Sequence, residues 1–437
     1  MRIPRLLLLA ALVLLSNPSL RGAVTVSAEA MVKPRLPVIP DRAFKVTDFG
    51  AVGDGRTLNT AAFKAAMKAI EQAGGGRLIV PEGVFRTGPF ELCSKLDLHL
   101  EMGAVIQAPD TFAELGLPDP ASFKTQAGAD VAFKVPEPLI SGKNLRDVAL
   151  TGPGTIDGSG AHWWAWSERA ARAVAQTKPG RIVLKRPHLV VINGCARLLV
   201  SDILLANSSM FHLVPRNITD LTIARVRVRA PFNAPNTDAI DPGPVTNAWI
   251  HHCDIDTGDD DIVIKSGGTN VLIEDCTIKH GHGISVGSET ITGIHNMLVR
   301  RCTFDGTDIG IRIKSMRGAG GLVENVRYSD ITMKSVGNAV VLQLDYVDNN
   351  RPNFKGDPTK VPAIRDVLLE RITIEGARNA GIIHGIPNSP IRNITLRDVT
   401  VLAENDFDIR EASEPVLERV ARTIKPGVGP GKIAGEH

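Results

Sequence analysis

Four short clusters between positions 236 and 314 carry the side chains best suited to chemistry. They are Asn236-Thr237-Asp238, Gly258-Asp259-Asp260-Asp261, Gly281-His282-Gly283 and Arg312-Ile313-Lys314. Carboxyl groups held close together cannot all stay ionised, so the pKa of one rises and that group can donate a proton while another accepts one. Hydrolysis of a glycosidic bond requires this division of roles between carboxyl groups.

Arg312 and Lys314 add two positive charges to the same region. Residues two positions apart on an extended segment point to the same side, so a guanidinium and an ammonium face one direction. Such a pair suits a substrate carboxylate next to the bond that is broken. Each cluster alone is commonly a turn or a solvated surface, and the three aspartates could instead bind Ca²⁺. Their occurrence together favours an active site for an anionic sugar.

The elements that must position these clusters form a repeat, which is clear from about residue 197 onwards. Each repeat places apolar, β-branched residues around one buried hub position. The hubs are Ile203, Val226, Cys253, Cys276, Cys302, Ile331, Ile372 and Val399, separated by 23, 27, 23, 26, 29, 41 and 27 residues. Periods of 20 to 30 residues with short β segments indicate a stacked solenoid.

Measured from its hub, each cluster leaves the repeat toward the same edge. Asp259 and Asp260 lie six and seven residues after Cys253, and His282 lies six after Cys276. Because stacked parallel strands are about 4.8 Å apart, we expect the clusters to be neighbours.

The fold class follows from this repeat. A leucine-rich repeat is the main alternative, but the segments here are β-branched and punctuated by glycine, with almost no helical periodicity after residue 180. We therefore predict an all-β, single-domain, right-handed parallel β-helix. A short helix capped by Asn59 or Thr60, with Ala62 and Ile70 on its apolar face, should cover the N-terminal end.

Five cysteines give no sign of a metal site or a disulfide framework. Cys253, Cys276 and Cys302 share one register and are predicted to be stacked core residues, and no C-x-x-C or Cys/His cluster has zinc spacing.

Residues 1–30 have the features of a signal peptide. A charged start with Arg2 and Arg5 precedes the apolar run 6–15, which is too short to span a membrane, and Ala28-Glu29-Ala30 is a cleavage option. An uncleaved anchor is the alternative. We predict that residues 31–437 form the exported β-helix domain, secreted or periplasmic and free of the membrane once the signal is removed. Residues 403–437 are predicted to be the last coil and a tail.

The composition argues against nucleic acid as a partner. The net charge of +3 comes from 50 basic and 47 acidic residues, and no basic run with interleaved aromatics occurs, so nucleic acid is not an expected partner. We expect a monomer.

Residues 111–137 are predicted to be a surface loop. The segment 162–166, with three of the four tryptophans, is either an apolar plug or a sugar-stacking platform.

The four clusters, in this order, resemble the motifs of the polygalacturonases, the pectin-hydrolysing members of glycoside hydrolase family 28. The resemblance covers nearly the whole mature chain. Its N-terminal part matches the family's opening in the segments Asp48-Phe49-Gly50-Ala51-Val52-Gly53-Asp54-Gly55, Asn59-Thr60, Gly74-Gly75-Gly76 and Val80-Pro81.

The resemblance implies a right-handed parallel β-helix that hydrolyses α-1,4 galacturonide bonds of pectin with inversion and needs no metal or cofactor. It implies that Asp259 is the general acid, that Asp238 and Asp260 activate the attacking water, and that His282 tunes the acid. It also implies substrate binding by four residues, namely Asn236, Arg312, Lys314 and Tyr346.

Two departures from the family pattern concern the subfamily. Ala239 stands where the family usually has glycine, and Asp261 stands where it often has cysteine or another small residue. Related hydrolases of rhamnogalacturonan or xylogalacturonan, a pectate lyase of similar fold, and a binding protein or adhesin without activity are the alternatives. Endo or exo action would depend on whether the insertions 111–137 and 347–362 close the cleft. We expect activity at mildly acidic pH.

Overall fold

A computed structural model describes residues 32–119, 136–167, 185–347 and 356–430. The predicted signal peptide and its cleavage site, most of the 111–137 loop and half of the 347–362 insertion lie outside these residues. No helix in the described part of the chain has the length and apolar character needed to cross a membrane.

The described strands form one continuous sheet of 27 strands, each paired in parallel with its neighbours and wound into a right-handed helix. The predicted fold class is therefore confirmed, and the leucine-rich repeat is excluded. Each coil contributes three faces in chain order, which we call the first, second and third face.

The strands, numbered in chain order, divide among the faces as follows. The first face contains β1 (Ala43–Lys45), β3 (Gly76–Val80), β6 (Leu96–Leu100), β14 (Val245–His251), β17 (Gly268–Glu274), β20 (Ile294–Arg300) and β26 (Val416–Glu418). The second contains β2 (Asp54–Leu58), β4 (Gly83–Arg86), β7 (Ala104–Gln107), β9 (Thr155–Asp157), β11 (Leu204–Ala206), β13 (Arg227–Arg229), β15 (Asp254–Thr257), β18 (Thr277–His280), β21 (Thr303–Asp305) and β27 (Ala421–Ile424).

The third face contains β5 (Phe90–Glu91), β16 (Ile262–Ile264), β19 (Ile284–Val286) and β22 (Ile309–Lys314). Longer strands continue from one face to the next: β8 (Ile140–Thr151), β10 (Val190–Ser201), β12 (Leu213–Ala224), β23 (Leu322–Gln343), β24 (Ala363–His384) and β25 (Arg392–Arg410). The last coil therefore extends to Ile424, and residues 431–437 of the predicted tail lie outside the described part.

The core runs along the axis of the helix, where inward side chains of successive coils stack. All eight hubs are buried, with exposed fractions of 3% or less. Cys253, Cys276 and Cys302 are free thiols in this stack, and the N–H of Thr277 donates to the carbonyl of Cys253 at 2.9 Å. The prediction that these cysteines are core residues is confirmed.

The capping helix is α1 (Thr60–Gln72), as predicted, but its N-terminus is held differently. The Asn59 side chain makes no cap to the helix. Its Oδ1 accepts from the N–H of Val52 at 2.7 Å, and its Nδ2 donates to the carbonyl of Val52 at 3.0 Å. The helix buries Phe63, whose ring stacks on Phe90 of β5 with centroids 4.8 Å apart. It therefore covers the N-terminal end of the core.

The tryptophan segment forms a short helix, α2 (Ala161–Trp164), between the second and third faces. Trp163 is 2% exposed and packs against Phe112, Leu115 and Leu117. The ring of Phe112 meets Trp163 edge-on, with centroids 4.8 Å apart. This packing supports the apolar plug rather than a sugar-stacking platform for Trp163.

Candidate active site

Three of the four clusters lie where the chain turns from the second face to the third, and the fourth, Arg312-Ile313-Lys314, ends the third-face strand β22. Asp238, Asp260 and His282 each stand two residues before an inward isoleucine. These isoleucines are Ile240, Ile262 and Ile284, which are register partners on successive coils. The three polar side chains therefore occupy equivalent places one coil apart. The clusters are neighbours, as the hub spacing predicted, although the count from the hubs had put His282 level with Asp259.

Alternation along the third face directs the two predicted cations outward. Ile262 and Ile264 belong to the core, whereas Val263 between them does not. Val263 is the register partner of Ser285, and Ser285 is the partner of Arg312. Arg312 therefore points away from the core, and Lys314, two residues later, points the same way.

Asp259 is held by groups from three coils. Its Oδ1 accepts from the N–H of Asp260 at 3.0 Å and lies 3.1 Å from His282 Nδ1. The Nδ2 of Asn236 lies 3.5 Å from its Oδ2. On the other side of the imidazole, Nε2 of His282 lies 3.6 Å from Oδ2 of Asp308. These contacts fix the plane of the Asp259 carboxyl group and place His282 between two carboxylates.

Asp260 is the carboxylate that the cations hold. Lys314 Nζ donates to its Oδ2 at 2.9 Å, and Arg312 donates to its Oδ1. The hydroxyl of Ser285 donates to the same Oδ1 at 2.9 Å and accepts from Arg312 Nε at 3.1 Å. Lys314 also reaches Tyr346, with Nζ 5.3 Å from the ring centroid. The structure thus brings all eight predicted site residues to one edge of the helix.

Asp238 is paired with a lysine that the sequence analysis did not single out. Lys265 Nζ donates to Oδ2 of Asp238 at 2.9 Å and to Oδ2 of Asp241 at 2.7 Å. The signal that could have found both residues is alternation. Asp241 follows inward Ile240 by one residue, and Lys265 follows inward Ile264 by one, so both point outward beside the predicted site.

Two further residues were missed. Arg186 is buried, and its guanidinium donates to Oδ1 of Asn236 at 2.6 Å and to the carbonyl of Pro235 at 2.6 Å. Asp308, beside His282, comes from the coil after it. Neither residue belongs to a periodic pattern that could have placed it in the site.

The site carboxylates are buried. The exposed fractions are 3% for Asp238, 9% for Asp259 and 2% for Asp260. The neighbouring coils contribute long side chains that contact two of these carboxyl groups, namely Lys265 at Asp238 and Arg312 and Lys314 at Asp260. Burial makes each pKa depend on the charges that remain nearby.

The pKa values of these groups are displaced in opposite directions. Burial raises the pKa of Asp260, but Arg312 and Lys314 outweigh it and hold that pKa well below its usual range. Burial raises the pKa of Asp238 well above its usual range, and the ammonium of Lys265 opposes this only in part. Burial lowers the pKa of His282, but the charge of Asp259 and its hydrogen bond outweigh that and raise it to about 9.

Asp261 and Ala239, the two departures from the family pattern, both point inward. Asp261 is fully buried, and its carboxyl accepts from the N–H of Gly283 at 2.8 Å and from the Thr257 hydroxyl at 3.2 Å. Burial raises its pKa well above the usual range. Ala239 is fully buried and does not have a positive φ, so its Cβ causes no backbone strain. The side chain of Asp260 therefore points to the candidate active site, whereas that of Asp261 points to the core.

Metal binding was an alternative for the aspartates. Ligand atoms of Asp259, Asp260 and His282 lie within 4.8 Å of one another. However, Asp260 already contacts Arg312 and Lys314, and Asp238 contacts Lys265. A Ca²⁺ ion would have to sit against these three positive charges, which argues against the calcium interpretation.

Sequence comparison relates this chain to one family of known proteins. The family described as "Glycosyl hydrolases family 28" matches residues 77–415. A "Probable polygalacturonase" of Vitis vinifera is 31% identical over 373 residues, covering 82% of this chain and 73% of that protein. An "Endo-polygalacturonase" of Pectobacterium carotovorum subsp. carotovorum is 27% identical over 376 residues, covering 81% and 88%.

A solved structure of similar fold extends this comparison. The exopolygalacturonase of Thermotoga maritima superposes with a TM-score of 0.73 at 27% identity, covering 90% of this chain and 94% of that chain. One relative is thus described as endo-acting and the other as exo-acting, at equal identity. Similarity alone therefore does not separate the two modes of action for this chain.

Proposed function

The chain belongs to family 28 of the glycosyl hydrolases, and from this premise we propose that it is a polygalacturonase that hydrolyses α-1,4 bonds between galacturonate residues of pectin with inversion. The observation that carries the proposal is the contact of Arg312 and Lys314 with the same carboxylate, Asp260, in the cleft. These cations suit a uronic acid, and the carboxyl groups beside them suit acid and base catalysis.

Asp259 is proposed as the general acid. Two N–H groups, from Asp260 and His282, hold Oδ1, so the proton that is delivered to the glycosidic oxygen is assigned to Oδ2. The imidazole of His282, whose Nδ1 lies 3.1 Å from this Oδ1, is proposed as the hydrogen-bond donor from the next coil. Its ring therefore donates Nδ1–H to Asp259 and fixes the direction of the acid.

Asp260 and Asp238 are proposed to hold and activate the attacking water. The lowered pKa of Asp260 keeps it ionised at mildly acidic pH, as a base must be. Oδ1 of Asp238 is buried and has no hydrogen-bond partner among the described residues, so it lacks a donor, and the attacking water is proposed to be that donor. The water then attacks the sugar carbon from the side opposite the leaving oxygen, which inverts the configuration.

Arg312 and Lys314 are proposed to bind the carboxylate of the sugar at the bond that is broken. Both are 7% exposed, and both already face Asp260. A substrate carboxylate would therefore share these cations with Asp260. Tyr346 next to Lys314 and Asn236 next to Asp259 are proposed as further substrate contacts.

The alternatives make different products. Incubation with polygalacturonate should release reducing ends whose first anomer, followed by proton NMR, has inverted configuration, and chelator should have no effect. Products with a conjugated double bond would identify a lyase. Binding without any product would identify a binding protein, and cleavage confined to rhamnogalacturonan or xylogalacturonan would identify another hydrolase of the family. A ladder of oligomers over time would show endo action, and monomer or dimer alone would show exo action.

Localisation and assembly complete the proposal. Residues 1–30 are proposed to direct export and to be removed, leaving a secreted or periplasmic monomer. N-terminal sequencing and the mass in solution of the exported protein test both statements.

A further inference from the structure

Lys265 is a cation of the candidate active site to which the proposed mechanism gives no role. It follows β16 directly, and its side chain is 24% exposed. Its Nζ donates to both Asp238 and Asp241 and lies 4.1 Å from the centroid of the Phe211 ring. Two hydrogen bonds and an aromatic face therefore fix the ammonium in one place.

This one ammonium serves two buried carboxylates. The side chains of Asp238 and Asp241 are 4% and 2% exposed, so each would be costly to ionise without a cation. The charged groups that act most strongly on Asp238 are Lys265, Asp241, Asp259 and Asp260, so among them one cation faces three carboxylates. Replacing Lys265 by an apolar residue would leave these carboxylates without the one cation in this group.

We propose that Lys265 is a positioning residue for the hydrolysis, which orients Asp238 and supplies the positive charge that lets this buried carboxylate act as a base. Asp241 anchors the ammonium from the other side. The inference rests on the proposed function, since it assumes that Asp238 activates water. With Oδ2 of Asp238 held by Lys265, the buried Oδ1, which has no hydrogen-bond partner among the described residues, is the oxygen assigned to the attacking water.

The remaining neighbours of this group do not replace Lys265. His212 is fully buried, its Nδ1 lies 3.1 Å from the backbone carbonyl of Asp238, and burial lowers its pKa to about 4, so the ring is neutral. His188, which lies near Lys265, has a pKa lowered to about 3 by burial and by nearby cations including Arg216, so it is neutral as well.

The test compares Lys265→Met, which keeps the aliphatic stem, with Lys265→Arg, which keeps the charge. A base must be ionised, so activity is lost as pH falls through the pKa of Asp238. Without the ammonium this pKa rises, and the acidic limb of the kcat/KM profile of Lys265→Met should move up by about one pH unit or more. At pH 5 its kcat should fall about 10-fold or more, with KM changed less than about 3-fold. Lys265→Arg should keep the wild-type limb.

Lys334→Met is the matched control, because Lys334 is exposed on β23 and pairs with Glu375 at 3.6 Å, away from the site. Its profile should match the wild type. A Lys265→Met enzyme with lower kcat but an unmoved acidic limb would show a structural role only, and one with a raised KM and an unmoved limb would show a substrate ligand. Either result overturns the proposal.

A second measurement needs no activity. In protein labelled with carboxyl-¹³C aspartate, the Asp238 signal is assigned by its loss in Asp238→Asn, and its titration is followed by NMR. The pKa of Asp238 should be higher in Lys265→Met than in the wild type and unchanged in Lys334→Met. An unchanged Asp238 pKa refutes the inference even if polygalacturonate is hydrolysed. A raised pKa in a protein without that activity upholds the charge effect and refutes the proposed function instead.

Discussion

Two edges of the same β-helix stack charged residues on successive coils, with different results. The turn from the first to the second face carries one residue per coil immediately before each hub, and we call this row the outer ladder. Its members are Asp202, Arg225, His252, Asp275, Arg301, Asp330, Arg371, Asp398 and Arg419, all with φ between 50 and 67°. The turn from the second to the third face carries the candidate active site.

In the outer ladder each aspartate pairs with one arginine of the row, and Arg301 and Arg371 also contact Glu274 and Glu370. Arg225 binds Asp202 through two N–H groups, Arg371 binds Asp330 in the same way, and these side chains are 39–56% exposed. In the site, by contrast, one ammonium serves Asp238 and Asp241, and two cations serve Asp260.

The outer ladder and the candidate active site differ in the burial of their carboxyl groups and in how these groups are paired with cations. Every paired aspartate of the outer ladder has a lowered pKa, because an arginine hydrogen-bonds it. In the site the pKa of Asp238 is raised and that of Asp260 is lowered, because the same burial is offset by different cations. Coils of one geometry thus give exposed ion pairs at one edge and carboxyl groups with oppositely shifted pKa values at the other.

The largest contrast should come from removing one carboxylate at each edge. Asp259→Asn removes the proposed general acid and should lower kcat on polygalacturonate by about 10²–10⁴-fold. Asp275→Asn, in the outer ladder, should leave kcat unchanged. Initial rates of reducing-end release measure both, with far-UV circular dichroism as the check on folding. Equal activity of Asp259→Asn and wild type would reject the acid assignment.

A smaller effect is expected from the cations. Lys314→Ala removes a charge-assisted contact with the substrate carboxylate, so KM should rise about 10-fold or more and change more than kcat does. Arg371→Ala, whose guanidinium pairs with Asp330 and Glu370 away from the site, should keep the wild-type KM. Steady-state kinetics on oligogalacturonates of defined length give both values. If KM of Lys314→Ala is unchanged, the substrate carboxylate binds elsewhere.

The pH dependence of stability gives a third comparison. The pKa of His282 rises from 6.5 to about 9 on folding, so its contribution is present below pH 6.5 and lost as pH rises through 9. The free energy of unfolding should therefore fall by up to about 3 kcal/mol over this range. His282→Gln should lose this part of the slope, and His252→Gln in the outer ladder should keep it. Urea denaturation at several pH values measures the slopes, and identical slopes in wild type and His282→Gln would contradict the His282–Asp259 pairing.

The spacing of the hubs was enough to predict the stacking. Once Cys253 and Cys276 were placed in one register, the Asp259-Asp260 pair and His282 had to be neighbours, because their coils pair strand by strand. The count put His282 level with Asp259, and the structure places it level with Asp260 because the two turns differ in length by one residue. The capping helix was equally visible from its apolar period. The spacing of the hubs therefore predicts the approximate position of a residue along the coil and the direction of its side chain.

The partners within the site could not be derived in this way. Sequence alternation places Arg312 and Lys314 outward, but it does not show that both would contact Asp260, because that depends on side-chain reach across two coils. Lys265 was outward by the same rule and was overlooked, since a single lysine in a strand has no motif. The outer ladder could also have been predicted from the sequence, because the residue before each hub alternates between acidic and basic, with His252 as the one exception.

The smallest effect should come from breaking one rung of the outer ladder. Exposed ion pairs contribute about 0–1 kcal/mol, because water screens the charges and ordering two long side chains costs entropy. A double-mutant cycle of Asp330→Asn and Arg371→Met should therefore give a coupling energy below about 1 kcal/mol, smaller still in 1 M salt. Urea denaturation of the four proteins measures it. A coupling of several kcal/mol that salt leaves unchanged would mean that the exposed row stabilises the fold as strongly as a buried ion pair, and the distinction between the two edges would then rest on pairing alone and not on burial.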